Sequence, residues 1–223
     1  MDGLIVFPGT SQFLNPRLLQ MVIDKYPLVL IDQNIQIIQQ TSVGTDNALA
    51  VSQGLSYISS QGHKNVGILL PTIDNSVLQE RCDAVFQYSA ITGFPLKQEL
   101  WLKDLGHSSE IVSEESIDRI ALHLTEHPEI TALFAFQYPL AVAADQAARR
   151  IGRTTGKDLS ILCFDSPLPL FGRPQFTHLH QDEAAIGEKA VELLLELISH
   201  PVQAPQNVKI PAKLVEGDSF FTL

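Results

Sequence analysis

At 223 residues the chain is long enough for one sizeable core or two smaller lobes that share one, and its 45% hydrophobic content is ordinary for a globular protein. Fifteen Lys and Arg against 25 Asp and Glu leave a net charge of −10, which argues against these residues gripping nucleic-acid phosphates themselves, because that requires basic side chains to neutralise them. Cys82 and Cys163 form no disulfide framework, no basic-then-apolar leader begins at Met1, and no apolar run reaches bilayer length, so the expected setting is soluble and cytoplasmic, without membrane contact.

The first apolar run, Gly3 to Phe7, has the pattern of a strand. Pro16, suited to the first turn of a helix, opens one in which Leu18, Leu19, Val22 and Ile23 share a face. Leu28 to Ile31 is the next strand and ends in Asp32. A Gln-rich connector then leads to a short strand, Ser42 to Thr45. Asp46 has the chemistry of an N-cap for a helix that carries Ala48, Val51, Leu55 and Ile58 inward and stops at Gly62. Val66 to Leu70 is a buried strand closed by Pro71. After caps at Asp74 to Ser76, a helix places Leu78, Cys82, Val85 and Phe86 on its core side and ends at Gly93-Phe94-Pro95.

Glu99 to Leu102, with the single tryptophan Trp101, reads as a strand. Ser113 caps a helix with Glu114 and Glu115 in its first turn and His123 and His127 in its last, as the helix macrodipole favours. Thr131 to Phe136 is a strand, and Pro139 starts an alanine-rich helix to Ile151. Leu159 to Phe164 is nearly all apolar, as a parallel strand covered on both faces is, and ends in Asp165. A loop stiffened by Pro167, Pro169 and Pro174 leads to the segment Phe176 to His180. The helix from Glu183 to Ile198 carries Ile186, Ala190, Leu194 and Leu197 in one stripe and is stopped by His200-Pro201. Val208 to Glu216 reads as a final, partly exposed strand.

Strands alternating with helices predict an α/β fold of doubly wound parallel sheets. Ligands of such sheets sit beyond the carboxyl ends of the strands. Asp32, Asp46, Gln137 and Asp165 each follow an apolar strand directly, and Arg81 lies near the start of the helix after Pro71, within reach of the same edge. Carboxylates, an amide and a planar guanidinium suit a ligand rich in hydroxyls, and Phe136, Phe164 and Trp101 could supply apolar faces for its ring. Each has a structural reading beside the functional one. Asp46 is equally a helix cap and Asp32 a turn residue; Arg81 could pair with Glu80 or Asp83 on the surface, and the phenylalanines could be core.

The ordered set Asp2-Gly3-Leu4-Ile5, Leu28-Val29-Leu30-Ile31-Asp32, Thr45-Asp46-Asn47, Gln61-Gly62-His63, the Arg81 region, Thr131-Ala132-Leu133-Phe134-Ala135, Phe164-Asp165-Ser166 and Gln181-Asp182 resembles the effector-binding core of lactose/galactose-repressor (LacI/GalR) regulators along nearly the whole chain. The resemblance implies a two-lobed, periplasmic-binding-protein-like domain of type I. Crossings between lobes are then expected near Pro71, Gln181 and Asn207, giving one lobe of residues 1–70 and 182–207 and another of 71–181 and 208–223. It implies a sugar or related small molecule bound between the lobes, with Gln181 joining the ligand set, no metal or other cofactor, and a homodimer. DNA would be reached only through the family's headpiece, which has no counterpart in these residues. The family's first strand-helix-strand unit has none either, so the chain opens at the family's third strand. Gln137-Tyr138 stands where the family usually has Asn-Asp, and Ser166 where it has a second Asp. Fewer acidic acceptors imply a less hydroxylated, a phosphorylated or a different effector.

A secreted or periplasmic sugar-binding protein of the same architecture is the second reading, and an α/β enzyme the third. The enzyme finds little support. No nucleophile elbow, phosphate loop or dinucleotide fingerprint is present, and the two carboxylates that could flank a glycosidic bond, Asp32 and Asp165, are expected on different lobes. His178 and His180 alternate along a strand and so share a face, as a pair of metal ligands or as a simple polar strand surface.

Overall fold

A computed structural model describes residues 2–8, 16–33, 39–107, 112–200 and 204–223. In chain order its first half contains β1 (Leu4–Val6), α1 (Pro16–Ile23), β2 (Leu28–Ile31), β3 (Ser42–Thr45), α2 (Asn47–Ser60), β4 (Val66–Leu69) and α3 (Ser76–Thr92). The second half contains α4 (Glu114–Glu126), β5 (Ala132–Ala135), α5 (Tyr138–Arg150), β6 (Ser160–Phe164), β7 (Thr177–His180), α6 (Glu183–Ser199), β8 (Asn207–Ile210) and β9 (Lys213–Val215). The expected α/β alternation is present. Most of the Gln-rich connector lies outside the described residues.

The strands form two sheets, one of four strands ordered β1-β2-β3-β8 and one of five ordered β4-β5-β6-β7-β9. Every pairing is parallel except β7 with β9. Side chains of the central strands β5 and β6 alternate between two cores. Phe134, Leu162 and Phe164 face Ala50, Val51, Leu55 and Ile58 of α2 and Leu78, Cys82 and Val85 of α3. Leu133, Ala135, Ile161 and Cys163 face α4 and α5, through Ile117, Ile120, Leu140 and Ala144. Gly54 of α2 lies so close to this sheet that a Cβ there would meet Phe134, Leu162 and Leu179 at 3.2–3.3 Å. The four-stranded sheet is covered more thinly: Val29 and Val43 pack on Ile186, Ala190 and Leu193 of α6, and α1 has no buried residue.

The crossings between sheets differ from those expected. The chain leaves the four-stranded sheet after β3, at Asp46, so α2 and β4 belong with the five-stranded sheet and Pro71 marks only the end of β4. It returns after β7 near Gln181, as expected, and crosses last between Ile210 and Lys213 rather than at Asn207. The physical reason for the last difference is Pro211, which has no N–H to donate. It divides the single expected strand Val208 to Glu216 into β8, paired with β3, and β9, paired with β7. The strand expected around Trp101 is a 3-10 turn at Gln98–Leu100 followed by one bridge from Leu102 to Leu69. Ala48 faces solvent; Ala50 and Gly54 are the small residues that α2 buries.

Candidate functional site

Strand ends converge where the two sheets meet. Asp32 closes β2 with φ 65° and Asp165 closes β6 with φ 56°, both in the left-handed region that only a few side chains, Asp among them, tolerate. At Asp32 the Gln33 N–H donates to the Ile31 carbonyl at 2.8 Å, so the chain makes a tight three-residue turn. Gly44 of β3 makes room for it: a Cβ there would lie 2.9 Å from the Asp32 Cα. Such outliers collect at functional sites, where surrounding structure holds them.

Between these aspartates opens a cavity of ≈ 450 Å³. Of the residues expected there, Asp32, Arg81, Phe136, Gln137, Phe164, Asp165 and Gln181 all line it. Asp46 does not. Its carboxylate accepts from the Leu49 N–H at 2.9 Å and caps α2, the structural alternative its position allowed. Trp101 is also elsewhere, buried in the core beside Phe86.

Arg81 is the centre of the polar network. It is 4% exposed, having been carried inward by α3 just after its Asn75 cap, so the surface pairing with Asp83 does not form. Its Nε donates to Asn47 Oδ1 at 2.9 Å, one terminal nitrogen to the Phe136 carbonyl at 2.7 Å, and the other to Gln181 Oε1 at 3.2 Å. The guanidinium carbon lies 3.4 Å from the centroid of the Phe164 ring, a cation over an aromatic face. Burial pulls the Arg81 pKa down to about 10, against the opposing pull of Asp165, Asp32 and Glu80. The Asp165 carboxylate accepts from both the backbone N–H of Gln181, at 3.1 Å, and its side-chain amide, at 2.6 Å. Gln181 Oε1 accepts in turn from the Thr45 hydroxyl at 2.7 Å. The network continues outward through Asn47 to Glu80, which also takes Lys209 of β8 at 2.9 Å. It thus ties together residues beside every crossing between the sheets.

Asp32, on the other wall, has its carboxyl raised above the usual range by burial, with Arg81 acting the other way. Sequence reasoning missed seven lining residues: Phe7, Gln33, Tyr138 and Pro139, and Asn75, Val77 and Leu78 around the start of α3. The first four stand a few residues past strand ends, so the rule that found Asp32 and Gln137 finds them when extended along the chain, whereas the α3 residues gave no such signal.

The histidine pair forms no polar surface. His178 is wholly buried in β7 with its Nδ1 on the Phe176 carbonyl, and its ring centroid lies 5.9 Å from that of His180. Among the described residues no group of three or more His, Cys, Asp or Glu could hold a metal ion. Burial pushes the Cys82 thiol up to about 11 and Cys163 higher still, which leaves both unreactive at neutral pH.

The profile of the periplasmic binding protein-like domain matches residues 55–220. The ribose operon repressor of Haemophilus influenzae is 25% identical over 224 aligned positions, covering 100% of this chain and 65% of the repressor. The chain therefore spans somewhat less than two thirds of that relative. A regulatory protein of the LacI family from Chloroflexus aggregans superposes with a TM-score of 0.82 at 22% identity, over 100% of this chain and 78% of that one. A LacI-family transcriptional regulator from Enterococcus faecium, solved with bound ribose, gives 0.78 at 19% identity, over 100% and 80%.

Proposed function

Because the chain belongs to the periplasmic binding protein-like family, in the form of the effector-binding domain of LacI-family regulators, we propose that it senses a small sugar in the cavity between its sheets and passes the occupancy to a DNA-binding module outside these residues. The observation that carries this reading is the cavity itself. Two left-handed aspartates from different sheets face a buried arginine whose hydrogen bonds run into the crossings. A ligand that donates to Asp32 and Asp165 and takes leftover N–H groups of Arg81 would bias how the sheets close about that hinge. Ribose, bound by the E. faecium regulator, is the first candidate. The role is binding rather than catalysis, as the regulator relatives are named.

Each half of the molecule is proposed as a lobe, residues up to Thr45 with α6 and β8 making one. No described helix is long and apolar enough to cross a membrane, and the proposed site of action is the cytoplasm, where DNA is. We also propose a homodimer. Leu170 and Phe171 are 94% and 91% exposed on the loop after Asp165, an apolar tip suited to a partner copy. Titration calorimetry with D-ribose, D-galactose and cellobiose, paired with X-ray scattering, tests the sensing role. Binding of one sugar with a smaller radius of gyration is expected; no heat from any of them overturns it. A monomer by light scattering at micromolar concentration overturns the dimer.

A further inference from the structure

The polar groups of the cavity differ in how far the protein already satisfies them. On the five-stranded side the central groups are engaged: Arg81 through three hydrogen bonds, the Asp165 carboxylate through two, and Gln181 Oε1 as acceptor from both Thr45 and Arg81. Across the cavity Gln33 Oε1 is buried and has no hydrogen-bond partner, on a residue only 5% exposed. The tight turn about Asp32 fixes the backbone from which this side chain projects. A buried amide oxygen left unpaired costs stability that an apolar side chain of similar length would not. It is also one of the few groups that makes a site reject a ligand lacking the matching donor.

We propose that Gln33 is a ligand-reading residue whose Oε1 accepts a hydrogen bond from a hydroxyl of the bound sugar, making the Asp32–Gln33 wall the part of the cavity that selects for a donor at that position. This rests on the sugar-sensing reading above and adds the residue that sets specificity. Asp32, next to Gln33, is acceptor-only when ionised, so the pair offers acceptors to adjacent hydroxyls of one ring, in a cavity that Arg81 also lines.

Gln33→Met keeps the length of the side chain and removes the orphan acceptor. In the unliganded protein it is expected to melt at or above the wild-type temperature. Its affinity for whichever of D-ribose, D-galactose or cellobiose binds wild type is expected to fall at least tenfold by calorimetry. Deoxy analogues of that sugar sharpen the assignment. Wild type should lose about tenfold for the analogue missing the hydroxyl that Gln33 reads, and Gln33→Met should bind sugar and analogue alike. A Gln33→Met protein that melts several degrees lower overturns the proposal, because a residue held by partners of its own would behave that way. Unchanged affinity, or an undiminished preference over every deoxy analogue, overturns it too. Failure of the wild type to bind any of the three sugars overturns the sensing reading and this proposal together.

Discussion

The two sheets of this protein are built to different standards. β5 and β6 lie between two helix-backed cores, with Phe134 and Phe164 stacked on one side and Leu133, Ile161 and Cys163 enclosed on the other. The four-stranded sheet has a small buried cluster under α6, an α1 with nothing buried, and Ile5 of its edge strand partly in solvent. The cavity walls inherit the contrast. The five-stranded wall is locked by hydrogen bonds among Arg81, Asp165 and Gln181, whereas the other has an uncomfortably buried Asp32, an unpaired Gln33 Oε1 and a largely exposed Phe7. At the cavity itself Arg81, Asp165 and Gln181 are paired before ligand arrives, whereas Gln33 Oε1 is left for a ligand to satisfy. Least-stable regions are where binding-linked motion is found.

The sharpest way to break this contrast is to cut equally into both cores. Leu162→Ala removes a wholly buried side chain from the core that α2 and α3 cover, and is expected to lower unfolding free energy by about 4 kcal/mol. Leu193→Ala, in the thin cluster under α6, is expected to cost about 2 kcal/mol, because its neighbourhood is freer to collapse into the gap. Urea titrations of the two variants measure both. Equal losses would mean that the sheets are equally well packed.

Arg81 stands between the halves, so Arg81→Ala tests what joins them. It strands Asn47 and Gln181 and leaves Asp165 and Asp32 facing one another without their cation. Breaking one partner out of a buried charge network is expected to cost about 3 kcal/mol, and sugar binding should weaken more than tenfold, about 1.4 kcal/mol. Calorimetry on folded Arg81→Lys separates the effects. Lysine keeps the charge but lacks the planar fork, so wild-type affinity in that variant would show that the fork does not matter.

Much of this was legible because apolar runs and caps are local signals. The strand ends at Asp32, Gln137 and Asp165 followed from four or five apolar residues in a row, and convergence at the carboxyl edge followed from the fold class. The failures were questions of long-range pairing. Nothing in Val66 to Leu70 says which sheet it joins; that is decided by α2, whose Gly54 and Leu55 fit against Phe134 and Leu162 far along the chain. Pro211 did signal a break, but a proline in an edge segment reads equally as a strand end or as a switch of sheet. Asp46 shows the other limit. An aspartate after a strand and before a helix satisfies the cap rule and the ligand rule at once, and only position relative to the cavity separates them.

Acid should act on the halves in opposite directions. Burial lowers the pKa of His63, His123 and His178, all in the five-stranded half. A depressed folded-state pKa means that their stabilising contribution is present above the unfolded value, about 6.5, and is lost as pH falls through the folded one. His63 holds Thr131 and the Phe221 carbonyl, so its protonation also unsettles the C-terminal tail. The melting temperature is therefore expected to fall between pH 7 and pH 5. A flat profile over that range would mean that these rings are more open to water than their burial indicates.

Asp32 carries the smallest expected effect and the one with opposite sign. Burial raises its pKa, so its favourable contribution belongs to the protonated form: it is fully present below the unfolded value and lost as pH rises through the folded one. At pH 7 the ionised carboxylate is a burden on the fold, retained in a turn of positive φ where asparagine is equally at home. Asp32→Asn keeps shape and an acceptor oxygen while discarding the charge. It is expected to raise the melting temperature of the unliganded protein slightly at pH 7, and the gain should shrink toward zero as pH falls into the carboxylate range, where wild-type Asp32 is itself neutral. The opposing pull is Arg81, whose attraction for Asp32 disappears in the variant. A lower melting temperature at pH 7 would show that this attraction outweighs the cost of burial. Asp32 would then be part of the finished framework, and the division between a settled wall and a waiting one would rest on Gln33 alone.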